Sequence, residues 1–283
     1  MPEVAVLGST MHYEEVGTGD PIVFLHGNPT SSFLWRKVTA GLAGEGRCLA
    51  PDLIGMGQSG KPDIGYRFAD HARYLDAWFD VLDLQRVTLV GHDWGAALGF
   101  YWASRHSDRV AAIAFMEAIV RPISWDEFPE VARALFQAFR TPHMGEKLIL
   151  DQNQFVETVL PGGMLHELEP DEFDAYRAPF REPRARLPTL AWPREYPIEG
   201  EPPDVVATVE AFDAWLASST EVPKLLLTFE PGVTMSEPVV QWCREHIAAL
   251  EIAACGKGLH YVQEDEPDEV ARLVAEWRRR VLP

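Results

Sequence analysis

The run Val87-Thr88-Leu89-Val90-Gly91-His92-Asp93-Trp94-Gly95 is apolar at its start and breaks into an aspartate with a glycine two residues away on each side. A strand-to-helix turn of the form G-x-nucleophile-x-G lifts its central side chain to the carboxyl end of a sheet, with a helix N-terminus behind it. Serine ordinarily takes the central place; here it is Asp93. An ionised carboxylate only accepts hydrogen bonds and needs no base to become nucleophilic, so it suits attack on an sp³ carbon with formation of an alkyl ester. A serine-type acyl transfer is disfavoured. The ester must then be hydrolysed, which calls for a general base acting on water and an acid that orients the base. His260, in Gly258-Leu259-His260-Tyr261 after the last apolar run, is the candidate base. Two acids compete for the third place, Glu117 after the run 111–116 and Glu230 after the run 224–229. Glu117 is favoured because Met116-Glu117 ends its run with no other polar partner in view, giving the order Asp93, Glu117, His260.

These side chains need a scaffold that delivers strand ends to one edge. Residues 21–25 form a continuous apolar run stopped by His26-Gly27-Asn28-Pro29, the pattern of a buried strand ending in turn chemistry. A helix is predicted over 31–43, a strand over 47–50, and a glycine-rich loop over 51–60. Phe68, His71, Leu75, Trp78, Phe79 and Leu82 recur three or four apart, as on a helix that buries one face; His71 on that stripe reads as a core histidine. Strands over 87–90 and 111–116 flank a predicted helix over 96–106. Continuously apolar strands separated by helices imply a mostly parallel sheet covered on both faces. After Arg121-Pro122 the chain turns to Pro, aromatic and charged residues with helical stripes, then resumes strands over 224–229 and 250–254 and closes with an amphipathic helix over 267–281. The expected organisation is a core of residues 1–120 and 220–283 with a helical cap of residues 121–219.

The formal net charge of -18, from 43 acidic and 25 basic residues, repels nucleic acid and anionic membranes, so neither is an expected partner. Cys48, Cys243 and Cys255 have neither the number of a disulfide framework nor the spacing of a metal site. No metal and no cofactor are expected. No stretch approaches the roughly 20 apolar residues of a membrane span, and the segment following Met1 lacks the features of a secretion signal, so a cytoplasmic, monomeric protein is expected, with a periplasmic location left open. His92 reads as a support of the elbow, and His106, His143, His166 and His246 as surface residues.

His26-Gly27-Asn28-Pro29, Gly91-His92-Asp93-Trp94-Gly95, Phe115-Met116-Glu117 and Gln263-Glu264-Asp265 together resemble the haloalkane dehalogenases of the α/β-hydrolase superfamily. The similarity is to the subfamily whose acid follows the sixth strand, which includes the dehalogenase of the lindane pathway. It extends through Leu135-Phe136-Gln137-Ala138-Phe139-Arg140 and Thr189-Leu190-Ala191-Trp192-Pro193, and so covers nearly the whole chain. The resemblance implies the α/β-hydrolase fold: a mostly parallel eight-stranded sheet with helices on both faces and a helical cap inserted after strand six. It implies that Asn28 and Trp94 bind the departing halide through their side-chain N–H groups, and that their backbone N–H groups hold the ester oxyanion. It suggests that Phe136, Phe155, Trp192 and Pro193 line the substrate pocket, and that Gly163 and Thr234, where bulkier side chains often sit, leave an open entrance. The implied partners are a small halogenated alkane or alkene, halide and water.

Two other readings stand beside this one. An epoxide hydrolase on the same fold would also carry an aspartate nucleophile but would open its ring with cap phenols, for which Tyr176 and Tyr196 are available; Asn28 argues against it. A non-catalytic binding protein would be expected to have lost part of the triad, whereas Asp93, Glu117 and His260 are all present.

Overall fold

Strands with apolar side chains on both faces are stable only in a sheet covered on both sides. In the computed structural model, which describes residues 2–282, they pair in that way. β1 (Glu3–Val6), β2 (Ser9–Val16), β3 (Pro21–Leu25), β4 (Arg47–Pro51), β5 (Val87–Asp93), β6 (Val110–Ala118), β7 (Lys224–Pro231) and β8 (Leu250–Gly258) form one sheet in the order β1-β2-β4-β3-β5-β6-β7-β8. β1 and β2 are antiparallel to their neighbours, and β3 to β8 are parallel. β5 is buried along its whole length and lies between β3 and β6.

Helices α1 (Arg36–Leu42) and α11 (Pro267–Val281) pack together, and α3 (Trp94–Arg105) packs against α2 (Phe68–Val81) and α8 (Pro203–Ser218). His71 on α2 is fully buried, as its place on the apolar stripe predicts. Between β6 and β7 the chain is helical: α4 (Glu130–Arg140), π-helical turns at Glu146–Asp151 and Phe155–Val159, the short α5 (Leu160–Gly162), α6 (Pro170–Arg177), α7 (Leu187–Glu195) and α8. Phe136, Phe139 and Phe155 pack ring to ring within this region. Among the ties that join the helical region to the rest, Glu195 accepts from Phe68 N–H at 3.0 Å, Tyr176 Oη donates to Glu264 at 2.5 Å, and the Gly163 carbonyl accepts both His260 and Tyr261 N–H at 2.9 Å. α9 (Glu237–His246) and α10 (Val262–Asp265) flank β8. No helix among the described residues is long and apolar enough to cross a membrane, and the three cysteines are free, buried thiols.

Several strands run past their apolar segments, because ladder hydrogen bonds do not depend on side-chain polarity. β5 continues to Asp93, and α3 starts at Trp94, two residues before the predicted start at 96. β6 continues through Glu117 to Ala118, and the pairing slips by one residue there: His92 lies opposite Met116, and Asp93 opposite Ala118. Glu117 is thus the extra residue of a bulge, with φ of 43°, which re-aims its side chain.

The elbow joining β5 to α3 is compact because two glycines remove atoms from it. A Cβ at Gly91 would lie 2.6 Å from Ala96 Cα, and one at Gly95 would lie 2.2 Å from the Leu25 carbonyl oxygen. Asp93 itself adopts φ 51° and ψ -127°, outside the ordinary regions for a side-chain-bearing residue; such a conformation costs on the order of 1–3 kcal/mol and persists only where its surroundings hold it. Gly95→Ala should therefore push α3 off the end of β3 and lower the stability by about 1–3 kcal/mol, read as a reduced denaturant midpoint. An unchanged midpoint would show that the helix does not need this crossing.

Candidate active site

The elbow sets Asp93 at the sheet's carboxyl edge, where its Oδ2 accepts the Asn28 backbone N–H at 3.0 Å. Asp93 Oδ1 faces His260 Nε2 at 4.0 Å. On the far side of the imidazole, Nδ1 lies 3.3 Å from Glu117 Oε2. Asp93, Glu117 and His260 therefore meet as one chain of groups, delivered by the ends of β5 and β6 and by the loop after β8.

Burial raises Asp93 above the ordinary carboxylate range, since it penalises the charged form; His260 and the N–H groups of Asn28 and Trp94 oppose that rise. For His260, burial disfavours the imidazolium, but the Glu117 hydrogen bond and the charges of Asp93 and Glu117 outweigh it, and the net direction is upward.

Glu117 is not without other polar partners, contrary to what the sequence suggests. Its carboxylate accepts the backbone N–H groups of Val233 at 3.1 Å, Thr234 at 2.7 Å and Met235 at 3.3 Å, so the loop after β7 fixes it. Glu230 sits exposed on β7, paired in register with Lys257, and does not reach the imidazole. His92, the residue before Asp93, is fully buried, and its Nε2 donates to the His260 carbonyl at 2.8 Å. Burial holds it far below the usual histidine range, in its neutral form.

A cavity of about 330 Å³ opens over Asp93, with Asn28, Trp94 and His260 in its wall. The Asn28 side-chain N–H group has only a long contact of 3.4 Å to the Thr189 carbonyl. Phe136, Phe155, Gly163, Pro193 and Thr234 also line this cavity. Trp192 does not, contrary to expectation: it is fully buried behind Trp94, stacked on it at 4.6 Å and on His71 at 4.2 Å. Successive residues of a helix point about 100° apart, and on α7 Pro193 is turned to the cavity while Trp192 is turned to Trp94 and His71. Gly163 makes room for a neighbour, since a Cβ there would lie 2.8 Å from the Tyr261 ring.

Some of the wall was not foreseen. Tyr261 lines the cavity and donates its hydroxyl to the Asn28 carbonyl at 2.9 Å; its place next to His260 is the signal that the sequence offers. Val131 on α4 lines the cavity and is 94% exposed, an orientation that its apolar side chain does not announce. The two cap phenols divide: Tyr196 lines the cavity, whereas Tyr176 is committed to Glu264 elsewhere and cannot act on the same substrate.

A larger groove of about 690 Å³ runs beside Arg36, Glu14 and Glu15. Its buried carboxylate, Asp52, is fully engaged by His12 and by the N–H groups of Ser32 and Gln58, which leaves no poised nucleophile there. Among the described residues no three His, Cys, Asp or Glu side chains gather as a metal site.

The family described as alpha/beta hydrolase fold matches residues 20–184. The chain is 50% identical, over 286 aligned positions, to a haloalkane dehalogenase of Sphingobium indicum, with 99% of this chain and 95% of that protein covered. It is 48% identical over 287 positions to a haloalkane dehalogenase of Mesorhizobium japonicum, covering 99% and 91%. Among solved structures, the haloalkane dehalogenase DatA from Agrobacterium tumefaciens superposes with a TM-score of 0.95 at 45% identity, covering 99% of this chain and 96% of that one. DbeA from Bradyrhizobium elkani, also a haloalkane dehalogenase, superposes with a TM-score of 0.96 at 48% identity, covering 99% and 97%. No comparison favours the epoxide hydrolase alternative. An aspartate at the elbow, a histidine and a second acid in line behind it, and similarity across nearly the full chain lead to one assignment: the chain belongs to the haloalkane dehalogenases, hydrolases of the α/β-hydrolase fold that act on carbon–halide bonds.

Proposed function

We propose that Asp93 attacks the halogen-bearing carbon of a small halogenated alkane or alkene, displacing halide and forming an alkyl ester on its own carboxylate. His260, oriented by Glu117, then takes a proton from water, which adds to the ester carbonyl; alcohol, halide and a proton leave. The observation that carries this reading is the facing pair of Asp93 Oδ1 and His260 Nε2 at 4.0 Å, with the side chains of Asn28 and Trp94 in the same cavity wall. Their N–H groups would meet negative charge as the halide departs, an effect worth about 3 kcal/mol for each well-placed donor in a dry pocket. The Asn28 backbone N–H, already on Asp93 Oδ2, is set to stabilise the oxyanion of the second step. Residues 121–219 would serve as the cap that closes this pocket over a core of residues 1–120 and 220–283. Three unpaired thiols support work in a reducing cytoplasm.

The two steps place opposite demands on His260. While Asp93 is ionised its charge helps to raise the histidine above the ordinary value of 6.5. Once Asp93 is esterified that charge is gone, and the base becomes easier to keep neutral when it is needed. Loss of the base follows falling pH, since only neutral imidazole accepts a proton. Decay of the Asp93 ester should accordingly persist to a lower pH than the midpoint at which His260 titrates in the resting protein. Imidazole NMR of the resting protein beside rapid-quench mass spectrometry of the ester would compare the two; coincident midpoints would remove the charge-relief argument.

The reaction is tested by halide release from 1-bromobutane run beside diol formation from styrene oxide, with halide alone expected. His260→Phe should release no more than one equivalent of bromide and leave an alkyl adduct on Asp93, and full turnover by that variant would exclude the assigned base. Trp94→Leu should slow bromide release by roughly 100-fold, and an unaffected rate would move the halide site elsewhere.

A further inference from the structure

Glu117 does not hold the His260 Nδ1 alone. Thr234 Oγ1 lies 3.3 Å from Nδ1, the same distance as Glu117 Oε2. A carboxylate can only accept, so Glu117 requires the proton to reside on Nδ1, which leaves Nε2 free toward Asp93. With Nδ1–H as donor, the Thr234 hydroxyl oxygen is a second acceptor in a three-centre hydrogen bond. The backbone N–H of the same residue donates to Glu117 Oε2 at 2.7 Å. Thr234 thus touches both members of the pair, fixing the carboxylate with its main chain and sharing the imidazole proton with its side chain.

The other groups facing His260 cannot substitute for it. Asp93 approaches Nε2 on the opposite edge. His92 reaches only the His260 carbonyl, and its ring lies 4.7 Å from the imidazole centroid. Tyr261 packs edge-on at 4.8 Å, with its hydroxyl committed to Asn28.

We infer that Thr234 is a positioning residue for the hydrolytic half of the reaction, its hydroxyl accepting from His260 Nδ1–H together with Glu117 and holding the ring with Nε2 toward the ester. As water loses its proton to Nε2, the imidazolium that forms is stabilised by two acceptors in place of one. The inference rests on the reading of His260 as the base.

The test uses Thr234→Val, which keeps the volume and removes the acceptor, and Thr234→Ser, which keeps the hydroxyl; Thr234→Ala is a second hydroxyl-free variant should the valine perturb folding, with thermal unfolding followed for each. Decay of the Asp93 ester after a single turnover on 1-bromobutane is followed across pH by rapid quench and intact mass. Thr234→Val should slow that decay about three- to tenfold, as expected for one neutral hydrogen bond, and slow the initial bromide burst less. The pH at which decay is lost should move downward, because an imidazolium with fewer acceptors gives up its proton more readily. Thr234→Ser should restore both. Unchanged decay and pH dependence in both hydroxyl-free variants, or failure of serine to restore them, would overturn the inference and leave Thr234 as a filler of volume. His260→Phe run in parallel separates this from failure of the underlying reading: turnover without ester accumulation there would remove the base itself.

Discussion

The approach of α3 to the end of β3 governs the geometry of the site. Only a residue without a side chain can stand at position 95, since a Cβ would fall 2.2 Å from the Leu25 carbonyl oxygen. That crossing brings the loop after β3 against the elbow, so the Asn28 N–H reaches Asp93 Oδ2 at 3.0 Å. It also holds Asp93 at a positive φ that an isolated chain would leave. Asp93, its backbone donor and the proposed halide ligands are thereby positioned by a close approach of main-chain atoms in a densely packed interior.

Around this contact the groups are kept in place by neighbours that do no chemistry themselves. His92 is buried in neutral form and grips the His260 carbonyl. Three successive N–H groups from the loop after β7 grip Glu117. Trp192 and His71 stack behind Trp94 and fix the plane of its indole. The order across the site, from Glu117 through His260 to Asp93, is therefore carried by two strand ends and the loop after β8, while the neighbouring groups restrict rotation.

Much of this was legible in the sequence because the informative residues sit where periodicity breaks. Asp93 interrupts an apolar run between glycines, and Glu117 and His260 follow apolar runs, so their positions at or just beyond strand ends could be read directly. Features that depend on pairing between segments could not. The bulge at Glu117 exists only because β6 slips against β5, and the carboxylate's three N–H partners come from residues 233–235, more than a hundred positions away. Trp192 and Pro193 are neighbours in sequence with opposite fates, one behind Trp94 and one in the cavity wall, and composition alone cannot assign the face of α7.

The Gly163 carbonyl, which accepts both the His260 and Tyr261 N–H groups, changes how the helical region should be regarded. An insertion that merely covered the core could open, loosen or be trimmed without disturbing what lies beneath. Here it supplies the acceptor for two main-chain donors in the segment that carries the imidazole, and without it those donors would be stranded among buried neighbours. The helical region is thus separate from the sheet in chain order but not in bonding, because the two share hydrogen bonds across their boundary.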